Sequence, residues 1–139
     1  MPIMMDADAL AVFMKDVFKQ VADDFAIDHV EETDLTTRLL TADRHLRPGG
    51  TVSGPSIFTL ADVSAYLMTL ARIGPKALAV TTNCSIDFMR KPAANTDLIA
   101  KTRLLKLGKL LSICDVLVYS EGLDDPVARA SLTYAIPPR

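Results

Sequence analysis

The chain is short of cysteine, of histidine, of excess charge of either sign and of long apolar runs, and each shortage excludes something. Two cysteines in 139 residues cannot make a disulfide framework, and free thiols suit a reducing cytosol, so a cytoplasmic location is expected. Cys84, Cys114, His29 and His45 show no ligand spacing, so no metal site is expected. Fifteen basic residues against 17 acidic ones leave a net charge of −2, too weak a positive field for non-specific nucleic-acid binding. No stretch of about 18 uninterrupted apolar residues occurs, so no membrane span is expected. The start, Met1-Pro2-Ile3-Met4-Met5-Asp6, lacks the basic and apolar regions of a secretion signal. Repeats and low-complexity tracts are also missing.

What is present is a chain 50% hydrophobic and 23% charged, a balance that folds rather than stays disordered. Its length suits one domain spanning residues 1–139. Leu10, Phe13, Met14, Val17, Val21 and Phe25 recur at three- and four-residue steps, which predicts an amphipathic helix over about 4–26. Its polar side is mixed in sign, so it packs on its own domain rather than on a membrane. Thr33 to Leu39 alternates as a strand does. Arg47-Pro48-Gly49-Gly50 is a loop. Residues from about Pro55 to Ala71 form a second helix, with Ser53 or Gly54 at its cap and Gly74-Pro75 at its end. That helix is apolar nearly all round and therefore belongs inside the fold. Four strand-like segments follow, from Leu78, from Asp97, from Leu110 and from Val127. Gly108-Lys109 reads as a two-residue hairpin turn with glycine first. Segregated helices and consecutive strands make the class α+β with an antiparallel sheet. A helix apolar on all sides needs cover on all sides, which a curved sheet gives in part and a second copy completes.

Asp62 is the odd residue. It is the one charged residue from Pro48 through Ala71, and a carboxylate inside a buried helix is costly without a partner or a purpose. Pro55, Thr59, Tyr66 and Thr69 share its stripe of the helix. Asp62 is then either a structural acceptor for Thr or Tyr hydroxyls, or a general base or nucleophile. The glycine-rich entry Gly49 to Gly54 is either a tight turn or a set of N–H donors aimed at an anion or oxyanion. An acyl-transfer site needs both a carboxylate and an oxyanion donor.

Gly50-Thr51-Val52-Ser53-Gly54-Pro55-Ser56-Ile57-Phe58-Thr59-Leu60-Ala61-Asp62 resembles the signature of hotdog-fold acyl-CoA thioesterases. The similarity is to the phenylacetate-degradation (PaaI-like) branch of the 4-hydroxybenzoyl-CoA thioesterase superfamily. Cys84 to Ala93 resembles a second recurrent segment, and the likeness runs over roughly residues 30 to 136. The resemblance implies a hotdog: an antiparallel sheet wrapped around the central helix, here with an extra N-terminal helix. It implies a homodimer paired edge to edge, often doubled into a homotetramer, with sites between subunits. Asp62 matches the catalytic acid, Gly54 the backbone oxyanion donor, and Thr81 a hydroxyl position that places the attacking water. Coenzyme A enters only as part of the substrate, and no separate cofactor is implied.

Two positions depart from the family pattern. Ser53-Gly54-Pro55 stands where His-Gly-Gly is usual, and Arg47 where Asn is frequent. Ser53 still hydrogen-bonds, and Pro55 leaves the Gly54 N–H in place. The reading is hydrolysis of an acyl-CoA thioester, with the acyl chain along the central helix. The alternative is a hotdog protein that binds or senses acyl-CoA without cleaving it. Arg47, Thr59, Arg90, Lys91, Lys106 and Lys109 are the candidate substrate-binding residues, the cations for the nucleotide phosphates. Arg47 is also placed to hold a carboxylated acyl group or to pair with Asp62. His45, near the glycine loop, is a supporting candidate; Tyr66 and Tyr134 read as packing residues, and Cys84 and Cys114 as small buried hydrophobes.

Overall fold

The computed structural model describes residues 2–138. The first helix, α1 (Ala7–Val17), opens where the Asp6 carboxylate accepts the Ala9 N–H at 2.9 Å. It buries Leu10 and Met14, one turn apart. It is shorter than the spacing predicts. Phe18 closes it, a short 3₁₀ turn covers Ala22–Asp24, and Phe25–Val30 is strand β1. Phe25 fits a helical repeat, but it packs with Ile27 by alternation, opposite Leu39 and Thr37 of β2 (Asp34–Leu39). A three- and four-residue spacing thus ran across a change of element.

The second helix, α2 (Gly54–Ile73), is the axis of the fold, with 12 of its 20 residues buried. Ser53 caps it by accepting the Ser56 N–H, and Pro55 sits in the first turn, where its missing N–H is no loss. Gly74 ends it at φ 92°, a conformation other residues resist, while giving its N–H to Leu70. By length and composition α2 could cross a membrane, yet 67% of its most apolar stretch is buried by the rest of the chain. Its buried hydroxyls are all partnered. Ser64 donates to the Leu60 carbonyl and receives Thr37 at 2.5 Å. Thr69 donates to the Ala65 carbonyl and receives Ser112 at 2.8 Å. Unpaired, each would cost about 1–3 kcal/mol.

Four more strands complete the sheet: β3 (Val80–Phe88), β4 (Leu98–Leu107), β5 (Leu111–Ser120) and β6 (Pro126–Ala135). The order is β1-β2-β4-β5-β6-β3, antiparallel throughout. Leu98, Ala100, Val116, Val118, Ala128 and Leu132 face α2 and are buried. This is the α+β hotdog the sequence predicts: one antiparallel sheet curved around a central helix, with α1 added.

Some details differ from simple alternation. The β4–β5 turn falls one residue later than expected: Gly108 gives its N–H to the Leu111 carbonyl, and neither it nor Lys109 is left-handed. A bulge between Leu104 and Lys106 uses one extra residue of β4 and moves the register. A second bulge lies in β3 between Thr81 and Asn83. It matters for the site.

Candidate active site

Asp62 sits in the third turn of α2, half-buried, and faces the paired ends of β3 and β6. Thr81 and Tyr134 lie directly opposite one another across that pair. The Thr81 hydroxyl donates to Asp62 Oδ1 at 2.6 Å, and the Tyr134 hydroxyl reaches the same oxygen at 2.7 Å. Tyr134 also lies 3.0 Å from the Asp62 carbonyl. Among the described residues Oδ2 receives no hydrogen bond and Asp62 has no ion-pair partner. The carboxylate is therefore fixed by one oxygen and available through the other.

The bulge in β3 makes this possible. Strict alternation puts Thr81 on the face of Asn83, Ser85 and Asp87, away from the helix. One extra residue turns Thr81 inward, onto the side of Cys84 and Ile86. The polar stripe expected around Asp62 on α2 itself does not serve it. Thr59 donates to the Pro55 carbonyl, Tyr66 to the Ala77 carbonyl and Thr69 to the Ala65 carbonyl. Tyr134 was legible only as a packing residue, because its role comes from cross-strand pairing rather than sequence distance.

Burial, with the nearby Asp62 charge adding to it, raises the Tyr134 hydroxyl far above the usual tyrosine range. It stays a donor at any working pH. The Cys84 thiol is raised by the same two causes, burial first and Asp62 second, so it stays protonated and is a poor nucleophile. Burial pushes Cys114 up to about 11.

Gly54 lies at the other end of the same geometry. Its N–H, in the first turn of α2, donates to nothing among the described residues, and the Phe88 ring covers its Cα side. Around it opens a cleft of about 360 Å³ whose lining includes Arg47, Val52, Phe88, Arg90 and Lys91. Three of the predicted cations are thus brought together with the predicted N–H donor. Ser53 holds the helix cap beside them. Arg47 is in this cleft and does not pair with Asp62. Thr59 is exposed, one turn into α2. Lys106 is exposed near the end of β4, and Lys109 lies by the far end of α2 beside Arg72 and Lys76. Neither joins the Gly54 cleft.

His45, the supporting candidate near the glycine loop, is buried. Its Nδ1 accepts the Ala42 N–H at 2.9 Å, Nε2 faces Asp24 at 3.3 Å, and its carbonyl accepts the Ser53 N–H at 2.8 Å. It thereby ties the loop before Gly54 to the start of β1. Its pKa is lowered by burial and then by Arg44. Arg44 also binds Asp24.

With this geometry in place, the comparisons with known proteins are specific. The thioesterase superfamily profile matches residues 49–127, which include Gly54, Asp62 and Thr81. A candidate thioesterase from Silicibacter sp. TM1040 has a crystal structure that superposes with a TM-score of 0.93 at 53% identity, over 99% of this chain and 96% of that one. A protein from Streptococcus mutans UA159, bound to acetyl-CoA, is 25% identical with a TM-score of 0.71, over 83% of this chain and 90% of that one. A mutant of the phenylacetic acid degradation protein PaaI from Thermus thermophilus shares the fold at 24% identity and a TM-score of 0.71, over 91% of this chain and 99% of that one. No curated protein matches. The chain belongs to the thioesterase superfamily, and thioester hydrolysis is the general activity that this membership supports.

Proposed function

We propose that the protein hydrolyses acyl-CoA thioesters at a site shared between two copies of the chain, with Asp62 as its working carboxylate. The observation that carries this is the held Asp62: two hydroxyls on Oδ1 and an open Oδ2. Gly54 and Asp62 are eight residues apart on one helix, about 12 Å along its axis, too far to act on one carbonyl. A second copy resolves this. β3 is an edge strand of nine residues that, among the described residues, pairs only with β6, and Val80 and Phe88 are 56% and 53% exposed on it. Such an edge invites pairing. Antiparallel pairing of two β3 edges lays the Phe88 end of one chain beside the Val80 end of the other. That brings one chain's Gly54 N–H toward its partner's carboxylate.

The chemistry then balances simply. The thioester oxygen accepts the Gly54 N–H, and Asp62 takes a proton from water held near Thr81. The water oxygen bonds to the carbonyl carbon, the C–S bond breaks, and the CoA thiolate recovers the proton from Asp62. Direct attack by Asp62 is the other route; it forms an anhydride and places solvent oxygen in the carboxylate during a single turnover. Arg47, Arg90 and Lys91 offer charge to the CoA phosphates. The CoA-type ligand has support in the acetyl-CoA complex of the Streptococcus mutans protein.

The test is free-thiol release over a panel of acyl-CoA thioesters. Wild type releases CoA, and Asp62→Asn loses about 10²–10⁴ of the rate while melting within a few degrees of wild type. Binding without release in the wild type means the alternative reading, an acyl-CoA binder, is the correct one.

A further inference from the structure

A helix start leaves its first N–H groups without partners inside the helix, and those of α2 can be followed one by one. Ser56 gives its N–H to the Ser53 hydroxyl, and Ile57 gives its own to the Ser53 carbonyl. Pro55 has none to give. That leaves the Gly54 N–H as the backbone donor of the cleft. A thioester oxygen that gains negative charge has room for a second donor beside it, and Pro55 cannot be that donor.

The loop before the helix holds an unused group. Leu46 and Val52 bridge across it, the Arg47 N–H donates to the Thr51 carbonyl at 2.9 Å, and the Ser53 N–H donates to the His45 carbonyl at 2.8 Å. This short antiparallel ladder sets Thr51 beside Arg47 on one face, away from Leu46 and Val52. Thr51 and Arg47 both line the Gly54 cleft. Thr51 is 6% exposed, and its Oγ1 is buried with no hydrogen-bond partner among the described residues. A buried hydroxyl without a partner is destabilising, so the loop keeps this one at a cost. The neighbouring polar groups are occupied. The Ser53 hydroxyl caps α2 and donates to Ser56 Oγ, and Arg90 donates to the Pro126 carbonyl.

We infer that Thr51 is a catalytic residue whose hydroxyl donates to the thioester oxygen beside the Gly54 N–H. This rests on the acyl-CoA reading. The hydrogen bond strengthens as negative charge develops on that oxygen, and no proton leaves Thr51. Thr51 lies three residues before Gly54 in the same chain, so one copy builds the whole oxyanion end while its partner brings Asp62. The arrangement gives the orphaned hydroxyl a partner in the bound state and supplies a neutral second donor where Pro55 has none.

Thr51→Val keeps the side-chain shape and removes the hydroxyl. Its kcat for acyl-CoA hydrolysis should fall about 10²-fold, with KM within about twofold of wild type. Its melting temperature should hold or rise, because an unpaired buried hydroxyl has become a methyl group. Thr51→Ser keeps the donor and should stay within about fivefold of the wild-type rate. A second readout needs no turnover: the infrared stretch of an isotope-labelled ketone carbonyl in an acyl-CoA analogue with a methylene in place of the sulfur. Binding to wild type or Thr51→Ser should lower that stretch more than binding to Thr51→Val. An unchanged kcat in Thr51→Val, an unchanged stretch, or a melting temperature several degrees lower overturns the inference, the last because the hydroxyl then has a partner in the fold. A shift that Thr51→Val loses, without CoA release by wild type, upholds the donor and sinks the hydrolase. Release with the same stretch in every variant does the reverse.

Discussion

The two ends of β3 do different work with the same backbone. At the Phe88 end, an unsatisfied N–H and three cations surround a shallow cleft. At the Val80 end, a carboxylate is gripped by two hydroxyls beside aromatic rings. One end suits the negative charge that develops on a thioester oxygen or sits on phosphate; the other suits proton transfer next to an apolar group. On the proposed reading neither end is a complete site, since α2 keeps them about 12 Å apart within one chain. The difference fits the proposed dimer, in which each chain carries half a site at each end and an antiparallel pair of edges makes two whole ones.

That comparison can be broken at either end. Gly54→Pro removes the N–H at a helix position that proline accepts, and hydrolysis should fall about 10²–10³-fold. Gly54→Ala keeps the N–H; its new Cβ would meet the Phe88 ring at 3.5 Å, an ordinary contact, so the rate should drop far less. Equal losses in the two variants would assign Gly54 a packing role instead. At the opposite end, Tyr134→Phe removes one of two donors to Oδ1, and kcat should fall about 10-fold with KM little changed, an effect of ordinary hydrogen-bond size. A change in KM alone would place Tyr134 in binding. Arg47→Ala together with Lys91→Ala should raise KM for acyl-CoA about 3- to 10-fold at low salt, and less as salt screens the charges. Salt-independent KM in wild type would remove the phosphates from that cleft.

The smallest effect concerns His45, which supports the Gly54 end. Its folded pKa lies below its unfolded value. The unfolded chain therefore binds more protons, so the contribution is present above about pH 6.5 and is lost as pH falls through that value toward the folded pKa. His45→Gln should flatten the decline in melting temperature between about pH 7 and pH 5. An unchanged slope would show that His45 does not titrate in the unfolding step.

Much of this was readable from residue order. The central helix was legible because its apolar run is long and capped at both ends, Ser53 and Gly74. Asp62 stood out because charge is otherwise missing around it. β1 was hidden because Phe25 satisfies a helical repeat and a strand repeat at once. Thr81 was reached only through resemblance, since alternation assigns it to the wrong face; the bulge after it cannot be read from side-chain pattern. Tyr134 lies 72 residues from Asp62, and only the β3–β6 register brings them together. His45 looked like a loop residue until its three contacts closed the loop around it.

The shared site can be tested by co-expressing Asp62→Asn and Gly54→Pro chains and isolating the mixed population. Each variant alone has two damaged sites. A mixed dimer has one site with both defects and one with neither, so random pairing should restore about a quarter of wild-type acyl-CoA hydrolysis. Activity no higher than that of either variant alone would contradict a site built from two chains.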